Sequence, residues 1–142
     1  MNAVEILRAC EKDGLSLSGY AVKNESETTG LDPEAIRARF ERMLEVMEKS
    51  AEAARQEPVR SVSGLTGGDA YQYEQYRQRG GSILGETLSL AAACALSCSE
   101  VNASMGRIVA CPTAGSCGIV PAAELAGAKT RGISREKQGG AP

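Results

Sequence analysis

The sequence predicts an all-α fold, and three observations indicate it. Apolar residues from Ile36 to Ala54 recur at spacings of three and four, the period of an amphipathic helix. The stretch from Leu84 to Leu96 is apolar on nearly every side, which is typical of a helix buried all round. Runs with the alternating pattern of strands are scarce. We therefore expect a helical domain built around a buried central helix.

Composition limits what this domain can do. A chain of 142 residues suits one domain with one core, and the near-absence of large aromatic residues leaves that core to small aliphatic side chains. The net charge is −2 and no Lys/Arg cluster is interleaved with aromatics, so we expect no nucleic-acid partner. No apolar run approaches the roughly 20 residues of a spanning helix, so we expect no membrane partner. Five scattered cysteines indicate free thiols and a cytoplasmic location.

The first half of the chain predicts two helices separated by an irregular connection. The first runs from Asn2 to Asp13, with Gly14 as its stop. The connection covers residues 15–30, which are rich in Ser, Thr and Gly and could include one more helical turn. The second helix begins after Asp32, a good N-cap, with Pro33 in its first position, and it ends before Pro58.

A loop rich in Ser, Thr and Gly covers residues 59–68 and leads into the next helix. Asp69 and Gln72 have the form of a capping box, so we expect Asp69 to be the N-cap. Gly67 and Gly68 would then lie directly before a helix start, where free N–H groups and the helix dipole favour a carboxylate. The alternative is that Thr66 to Asp69 form only a cap, which needs no ligand.

The second half predicts the central helix from about Ser82 to Cys98, and Glu100 to Met105 could form a further turn of helix. Cys94 and Cys98 share one of its faces and could hold a metal, but packing is favoured because there is no second pair and no His. A helix follows Pro121, and a short element begins at Ser134. We expect residues 1–138 to form the domain and residues 139–142 to be a disordered tail.

The loop from Pro112 to Gly118 is poor in side-chain bulk. Gly115 and Gly118 lack the Cβ atoms that would hold a ligand away, and Thr113 and Ser116 add hydroxyl donors. A carboxylate or other anion is the ligand such a loop favours. The alternative is a tight structural turn between buried elements.

Three segments of this chain resemble the alpha chain of the iron-sulfur-dependent L-serine dehydratases, also called L-serine ammonia-lyases. The segments are SGLTGGDA (63–70), EVNASMGRI (100–108) and PTAGSCGIVPAA (112–123). The resemblance covers nearly the whole chain and is strongest after Ser61. Family members continue well past residue 142, so the resemblance implies that this chain is truncated and that the cysteines ligating their cluster lie in the missing part.

The resemblance implies conversion of L-serine to pyruvate and ammonia at a [4Fe-4S] cluster that acts as a Lewis acid on the serine hydroxyl. It also implies a beta chain as partner. This chain would contribute substrate-positioning groups around the serine carboxylate. Those candidates are Thr66, Gly67, Gly68, Asp69, Asn102, Thr113, Gly115 and Ser116. Cys117 lies in the matching loop but is not assigned to the cluster, so we expect no metal ligand in this chain.

Several alternatives stay open at this point. The chain has no His, and Asp69 as an N-cap would be a weak base, so the general base is unassigned. The 142-residue protein could be an inactive truncated chain or an assembly subunit that binds a beta chain without catalysis. A third hypothesis is a cysteine-dependent enzyme with Cys117 as nucleophile, although no His partner is present.

Overall fold

The computed structural model describes residues 2–80 and 82–138, and helices dominate this part of the chain. Within it no strand occurs, and backbone pairing of the β type is limited to one bridge between Arg60 and Gly67. The all-α prediction is confirmed. The helices are α1 (Ala3–Asp13), α2 (Leu17–Thr29), α3 (Pro33–Gln56), α4 (Asp69–Gln78), α5 (Gly85–Ala103), α6 (Ile119–Arg131) and α7 (Arg135–Gln138).

The chain divides into two compact units. Among the described residues, one unit consists of residues 2–42 and 134–138, and the other of residues 43–80 and 82–133. The predicted tail at residues 139–142 lies outside the described residues. None of the described helices is both long enough and apolar enough to cross a bilayer.

Helix α1 begins and ends as predicted. Its N-cap is Asn2, whose side chain accepts a hydrogen bond from the N–H of Glu5 at 3.0 Å. The Glu5 carboxylate accepts one from the N–H of Asn2 at 2.9 Å, which completes a capping box. Gly14 ends the helix with φ of +65°, a conformation that glycine adopts without strain.

The predicted irregular connection at residues 15–30 is wrong, because Leu17–Thr29 form helix α2. This helix packs against α1. Its polar composition gives almost no amphipathic pattern, so the periodicity that reveals other helices is missing. The end signals are present: Ser16 accepts from the N–H of Gly19 at 3.1 Å, and Gly30 closes the helix in the left-handed region.

Helix α3 confirms the predicted start and end. The carbonyl of Asp32 accepts the N–H of Ile36 at 3.1 Å, as expected of an N-cap residue, and the helix stops two residues before Pro58. Its apolar stripe is buried only in the second half, whereas Phe40 and Met43 are partly exposed. The buried residues of α3 are Leu44, Met47, Ser50, Ala51 and Ala54.

Helix α5 lies at the centre of the second unit, where it contacts both α4 and α6. Its central place was predicted, but its exposure varies along its length: Leu88 is 61% exposed, and burial begins at Ser89. The helix extends beyond the predicted end at Cys98 by more than a turn, to Ala103. The core cluster around it consists of Ala51, Leu90, Cys94, Cys98, Cys117, Ala122 and Ala126.

Candidate functional site

Two glycine-containing segments of the second unit pack against the C-terminal half of α5. We call residues 58–70 the first corner and residues 111–119 the second corner. The N–H of Val62 in the first corner donates to the carbonyl of Ala103 at 3.0 Å. In the second corner, the thiol of Cys117 lies 3.8 Å from the carbonyl oxygen of Cys98. Helix α5 is therefore the common support of both corners.

The first corner is shaped by its own backbone. The N–H of Ser61 donates to the carbonyl of Thr66 at 2.9 Å, and the Ser61 hydroxyl accepts from the N–H of Thr66 at 3.2 Å. Gly67 has φ of +125°, and a Cβ added there would lie 2.1 Å from the carbonyl oxygen of Val59. Only glycine can occupy this position, because the obstacle is backbone.

Helix α4 does not begin with the predicted capping box. Its N-cap is Gly68, with φ of +92°, and Asp69 is the first helical residue. The carbonyl of Gly68 accepts the N–H of Gln72 at 3.1 Å. Since glycine has no side chain, α4 receives no side-chain cap from its own N-cap residue.

The cap of α4 is Glu100, a residue of α5. Its Oε1 accepts the N–H of Asp69 at 2.6 Å and that of Ala70 at 3.1 Å. The sequence predicted an anion at this helix start, where dipole and free N–H groups favour one. The structure shows that the chain supplies that anion itself. The available signal was an acidic residue near the end of an otherwise apolar helix, which sequence reasoning missed.

The side chains of the second corner bond mainly within the corner. The hydroxyl of Ser116 donates to the carbonyl of Cys111 at 2.7 Å and lies 3.0 Å from the Thr113 hydroxyl. Residues 114–116 form one turn of 3₁₀ helix. Because the first N–H groups of such a turn have no acceptor within it, those of Ala114 and Gly115 are its available donors, and both residues are exposed.

The two glycines of the second corner serve different purposes. A Cβ on Gly118 would lie 2.8 Å from the carbonyl oxygen of Ala95, so this glycine allows α5 to approach. A Cβ on Gly115 would meet nothing closer than the Thr113 hydroxyl at 3.9 Å. Space for a ligand therefore exists at Gly115, whereas packing explains Gly118.

Asn102 links α5 to the second corner. Its Nδ2 donates to the carbonyl of Ala114 at 3.5 Å. Asn102 lies on the same turns of α5 as Glu100, which holds the first corner. Because each helical residue advances by about 100°, Asn102 and Glu100 point to different faces. The corners thus share a helix but contact different sides of it.

The buried thiols are in surroundings that make them poorly reactive. Burial raises the pKa of Cys98 to about 11, and it also raises the pKa of Cys94 and Cys117 above the usual thiol range. Nucleophilic attack requires the thiolate, which a raised pKa disfavours, so these three cysteines are poor nucleophiles near neutral pH. Among the described residues, no group of three potential metal-ligating side chains occurs. The described residues thus hold no preformed set of ligands for an iron-sulfur cluster.

Residues 12–140 match the family model described as serine dehydratase alpha chain. The chain belongs to this family. It is 35% identical to the L-serine dehydratase alpha chain of Peptoniphilus asaccharolyticus, over 94% of this chain and 46% of that protein. It is 37% identical to a probable L-serine dehydratase alpha chain of Bacillus subtilis (strain 168), over 84% of this chain and 40% of that protein.

A more distant relative is the L-serine dehydratase TdcG of Escherichia coli (strain K12), with 31% identity over 85% of this chain and 27% of that protein. The chain thus spans less than half the length of the relatives it matches. No solved structure matches. The predicted resemblance is confirmed.

Proposed function

We propose that this chain forms part of an L-serine dehydratase, a lyase that converts L-serine to pyruvate and ammonia. Its membership of the serine dehydratase alpha-chain family carries this proposal. The reaction removes the α-proton and expels the β-hydroxyl as water. The resulting aminoacrylate then takes up water to give pyruvate and ammonia.

The chain's part in this reaction is to position the substrate. At the second corner, the N–H groups of Ala114 and Gly115 and the hydroxyls of Thr113 and Ser116 are the proposed donors to the serine carboxylate. Asn102 orients this turn through its bond to Ala114. Thr66, Gly67, Gly68 and Asp69 of the first corner also belong to the proposed substrate-positioning set, but the N–H of Asp69 already donates to Glu100 and is not a donor to the serine carboxylate.

The proposal includes a [4Fe-4S] cluster and a beta chain as partners. Because no group of three potential ligands occurs among the described residues, the cluster's ligands are proposed to come from outside them. The beta chain is proposed from the names of the relatives, which are alpha chains. A cytoplasmic location is proposed on the five free cysteines.

Reconstitution tests the function. The chain is incubated anaerobically with iron and sulfide, alone and together with a beta chain and the alpha-chain segment that its relatives have in addition. We expect neither cluster absorbance nor pyruvate from the chain alone, and both from the completed mixture. A stable cluster on the chain alone would overturn the placement of the ligands. A completed mixture that binds its cluster but forms no pyruvate would favour an inactive assembly subunit.

Gly115→Val tests the second corner in the completed enzyme. A Cβ at this position would meet nothing closer than 3.9 Å, so we expect the branched side chain to be accommodated and to cover the N–H groups of the turn. We expect the KM for L-serine to rise roughly tenfold or more, since a hydrogen bond to a charged group contributes about 1.5–3 kcal/mol. Ser99→Ala, at an exposed position of α5, is the control and should leave KM unchanged. An unchanged KM in the Gly115 variant would remove this loop from the site.

A further inference from the structure

We propose that the apolar surface at the C-terminal end of α5, formed by Val62, Leu65 and Met105, is a docking surface. Its occupant is the further alpha-chain segment that the relatives of this chain have in addition. The inference rests on the proposed function, from which this occupant is taken. It adds an interaction surface to the substrate-positioning loops described above.

Three large apolar side chains are exposed together at this end of α5. The exposed fractions are 73% for Val62, 86% for Leu65 and 83% for Met105. The N–H of Val62 donates to the carbonyl of Ala103 at 3.0 Å, which holds the first corner against this end of the helix. Leu65 follows Val62 by three residues, and Met105 follows Ala103 by two. Several large apolar side chains exposed at one place are typical of a surface that another polypeptide covers.

The backbone of Met105 is the second observation. Among the described residues it is the one non-glycine with a positive φ, at +62°. Its N–H donates to the carbonyl of Asn102 at 3.1 Å, and the N–H of Gly106 donates to that of Val101 at 2.8 Å, which is the bonding pattern of a Schellman motif. The left-handed residue of this motif is usually glycine, because a side chain there is strained. Met105 therefore lowers the stability of the chain, and its exposed side chain gains little packing in return.

A strained residue with an exposed apolar side chain fits a contact that is made outside this chain. Strained backbone conformations are concentrated at functional sites. The methionine side chain is unbranched and polarizable, so it can fill an irregular partner surface. Glycine at position 105 would relieve the strain but would remove the side chain that makes the contact.

The position of this surface identifies its occupant. Met105 is hydrogen-bonded to Asn102, and Asn102 donates to Ala114 in the turn proposed to hold the serine carboxylate. Because serine is small, the groups that act on its hydroxyl must lie close to that turn. Those groups are proposed to come from the rest of the alpha chain, since this chain spans 46% and 40% of two alpha chains it matches. The segment that brings them would approach the end of α5 and cover its apolar surface.

Methionine oxidation measures the contact without any substitution. The chain is treated with hydrogen peroxide, alone and with the part of the Peptoniphilus asaccharolyticus alpha chain that lies outside the match, and each sulfoxide is quantified by peptide mass spectrometry. In the chain alone we expect Met105 to oxidise roughly tenfold faster than the buried Met47. The segment should slow the oxidation of Met105 about tenfold and leave that of the partly exposed Met43 unchanged.

The same measurement distinguishes the other occupants. Protection of Met105 by a beta chain alone, or protection that grows with the concentration of this chain by itself, would overturn the proposed occupant. A completed mixture that forms pyruvate while Met105 keeps its oxidation rate would overturn the docking surface and leave the proposed function standing. Protection of Met105 by the segment without pyruvate from the completed mixture would support the docking surface and contradict the proposed function.

Two substitutions separate the backbone of Met105 from its side chain. We expect Met105→Gly to unfold at a higher denaturant concentration than Met105→Ala, because only glycine relieves the left-handed backbone. Both variants should raise the Kd for the segment roughly tenfold, since both lack the methionine side chain. Ile83→Ala, an exposed apolar residue just before the opposite end of α5, is the control and should leave the Kd unchanged. A lower unfolding midpoint for the glycine variant, or an unchanged Kd in both variants, would overturn the proposal.

Discussion

Gly118 shows how one missing Cβ decides the contact between two helices. Its backbone lies directly against α5, and an added Cβ would be 2.8 Å from the carbonyl oxygen of Ala95 and 3.2 Å from its Cα. Both atoms belong to the backbone of a helix and cannot turn aside as a side chain can. The close approach of α6 to α5 therefore depends on this residue.

We expect Gly118→Ala to lower the free energy of unfolding by about 1–3 kcal/mol, the usual cost of overpacking. Chemical denaturation gives the value. Gly115→Ala is the matched control, because its Cβ would have room, and it should change the stability by less than about 0.5 kcal/mol. Equal effects of the two substitutions would contradict the packing explanation.

Glu74 is the other residue whose surroundings dominate its chemistry. Its side chain is buried, and its carboxylate accepts from Arg77 Nη2 at 2.7 Å, Arg77 Nε at 2.9 Å and Arg55 Nε at 3.1 Å. The hydrogen bonds from Arg77, followed by those from Arg55 and Gln78, lower the pKa of Glu74 to about 2. Arg77 also pairs with Glu86. The network joins α3, α4 and α5.

The lowered pKa predicts how stability depends on pH. A carboxylate whose pKa is lower in the folded state stabilises the fold above its unfolded pKa, and the contribution is lost as pH falls through the folded pKa. We expect the free energy of unfolding to fall by up to roughly 3 kcal/mol between about pH 5 and pH 2. NMR titration of Glu74 in the wild type checks the pKa directly.

A substitution tests whether Glu74 causes this pH dependence of the unfolding free energy. Glu74→Gln should flatten the pH dependence of the unfolding free energy, and the exposed Glu57→Gln should leave it as in the wild type. A Glu74 that titrates near pH 4.5 in the folded protein would contradict the prediction, whether or not the variant folds.

At the scale of elements, the hydroxyl of Ser97 in α5 forms hydrogen bonds with backbone groups of α3 and so joins the two helices. Ser97 of α5 accepts the N–H of Ala54 at 3.0 Å and donates to the carbonyl of Ser50 at 2.7 Å. Ser50 and Ala54 are four residues apart in α3, so the Ser97 hydroxyl bridges a donor and an acceptor of one helical turn. Ser97 itself is fully buried.

We expect Ser97→Ala to destabilise the protein by about 1–3 kcal/mol, because it leaves buried polar groups of α3 without this partner. Denaturant unfolding should show a lower midpoint at an unchanged slope. Ser99→Ala, two residues away and exposed, should have an effect below about 0.5 kcal/mol. A stabilised Ser97 variant would show that α3 simply re-forms its own bond.

Helix limits were predictable wherever caps and apolar periodicity agreed. Helix α3 has both, and its start at Pro33 and its end before Pro58 match the prediction. Helix α2 has caps but almost no amphipathic pattern, and it was missed. The extension of α5 to Ala103 lacked a clear stop signal in the sequence, although it is this extension that carries Glu100 and Asn102.

At the scale of the whole molecule, burial sorts the five cysteines into two groups. Cys94, Cys98 and Cys117 belong to the core of the second unit, and Cys10 is buried in the first. Cys111 is partly exposed in the second corner. Reaction with an alkylating reagent therefore reports the state of the fold.

We expect iodoacetamide to modify Cys111 first in the native protein, with Cys94, Cys98 and Cys117 reacting at least roughly tenfold more slowly, because burial and a raised pKa both suppress the thiolate. Peptide mass spectrometry identifies the modified sites. In denaturant all five should react at similar rates, and Cys111→Ser should remove the fast phase. Fast labelling of Cys117 in the native state would contradict its place in the core.

The sequence by itself determined the helical class, most helix ends, the two glycine-containing loops and the family. Each of these depends on residues that are close together in the sequence, either at spacings of three and four or in one contiguous segment. Only the tertiary structure decided that Glu100 caps α4, that Gly118 faces Ala95 and that Ser97 bridges a turn of α3. These contacts join residues tens of positions apart or on separate helices, and local propensities carry no information about which distant backbone atoms will meet.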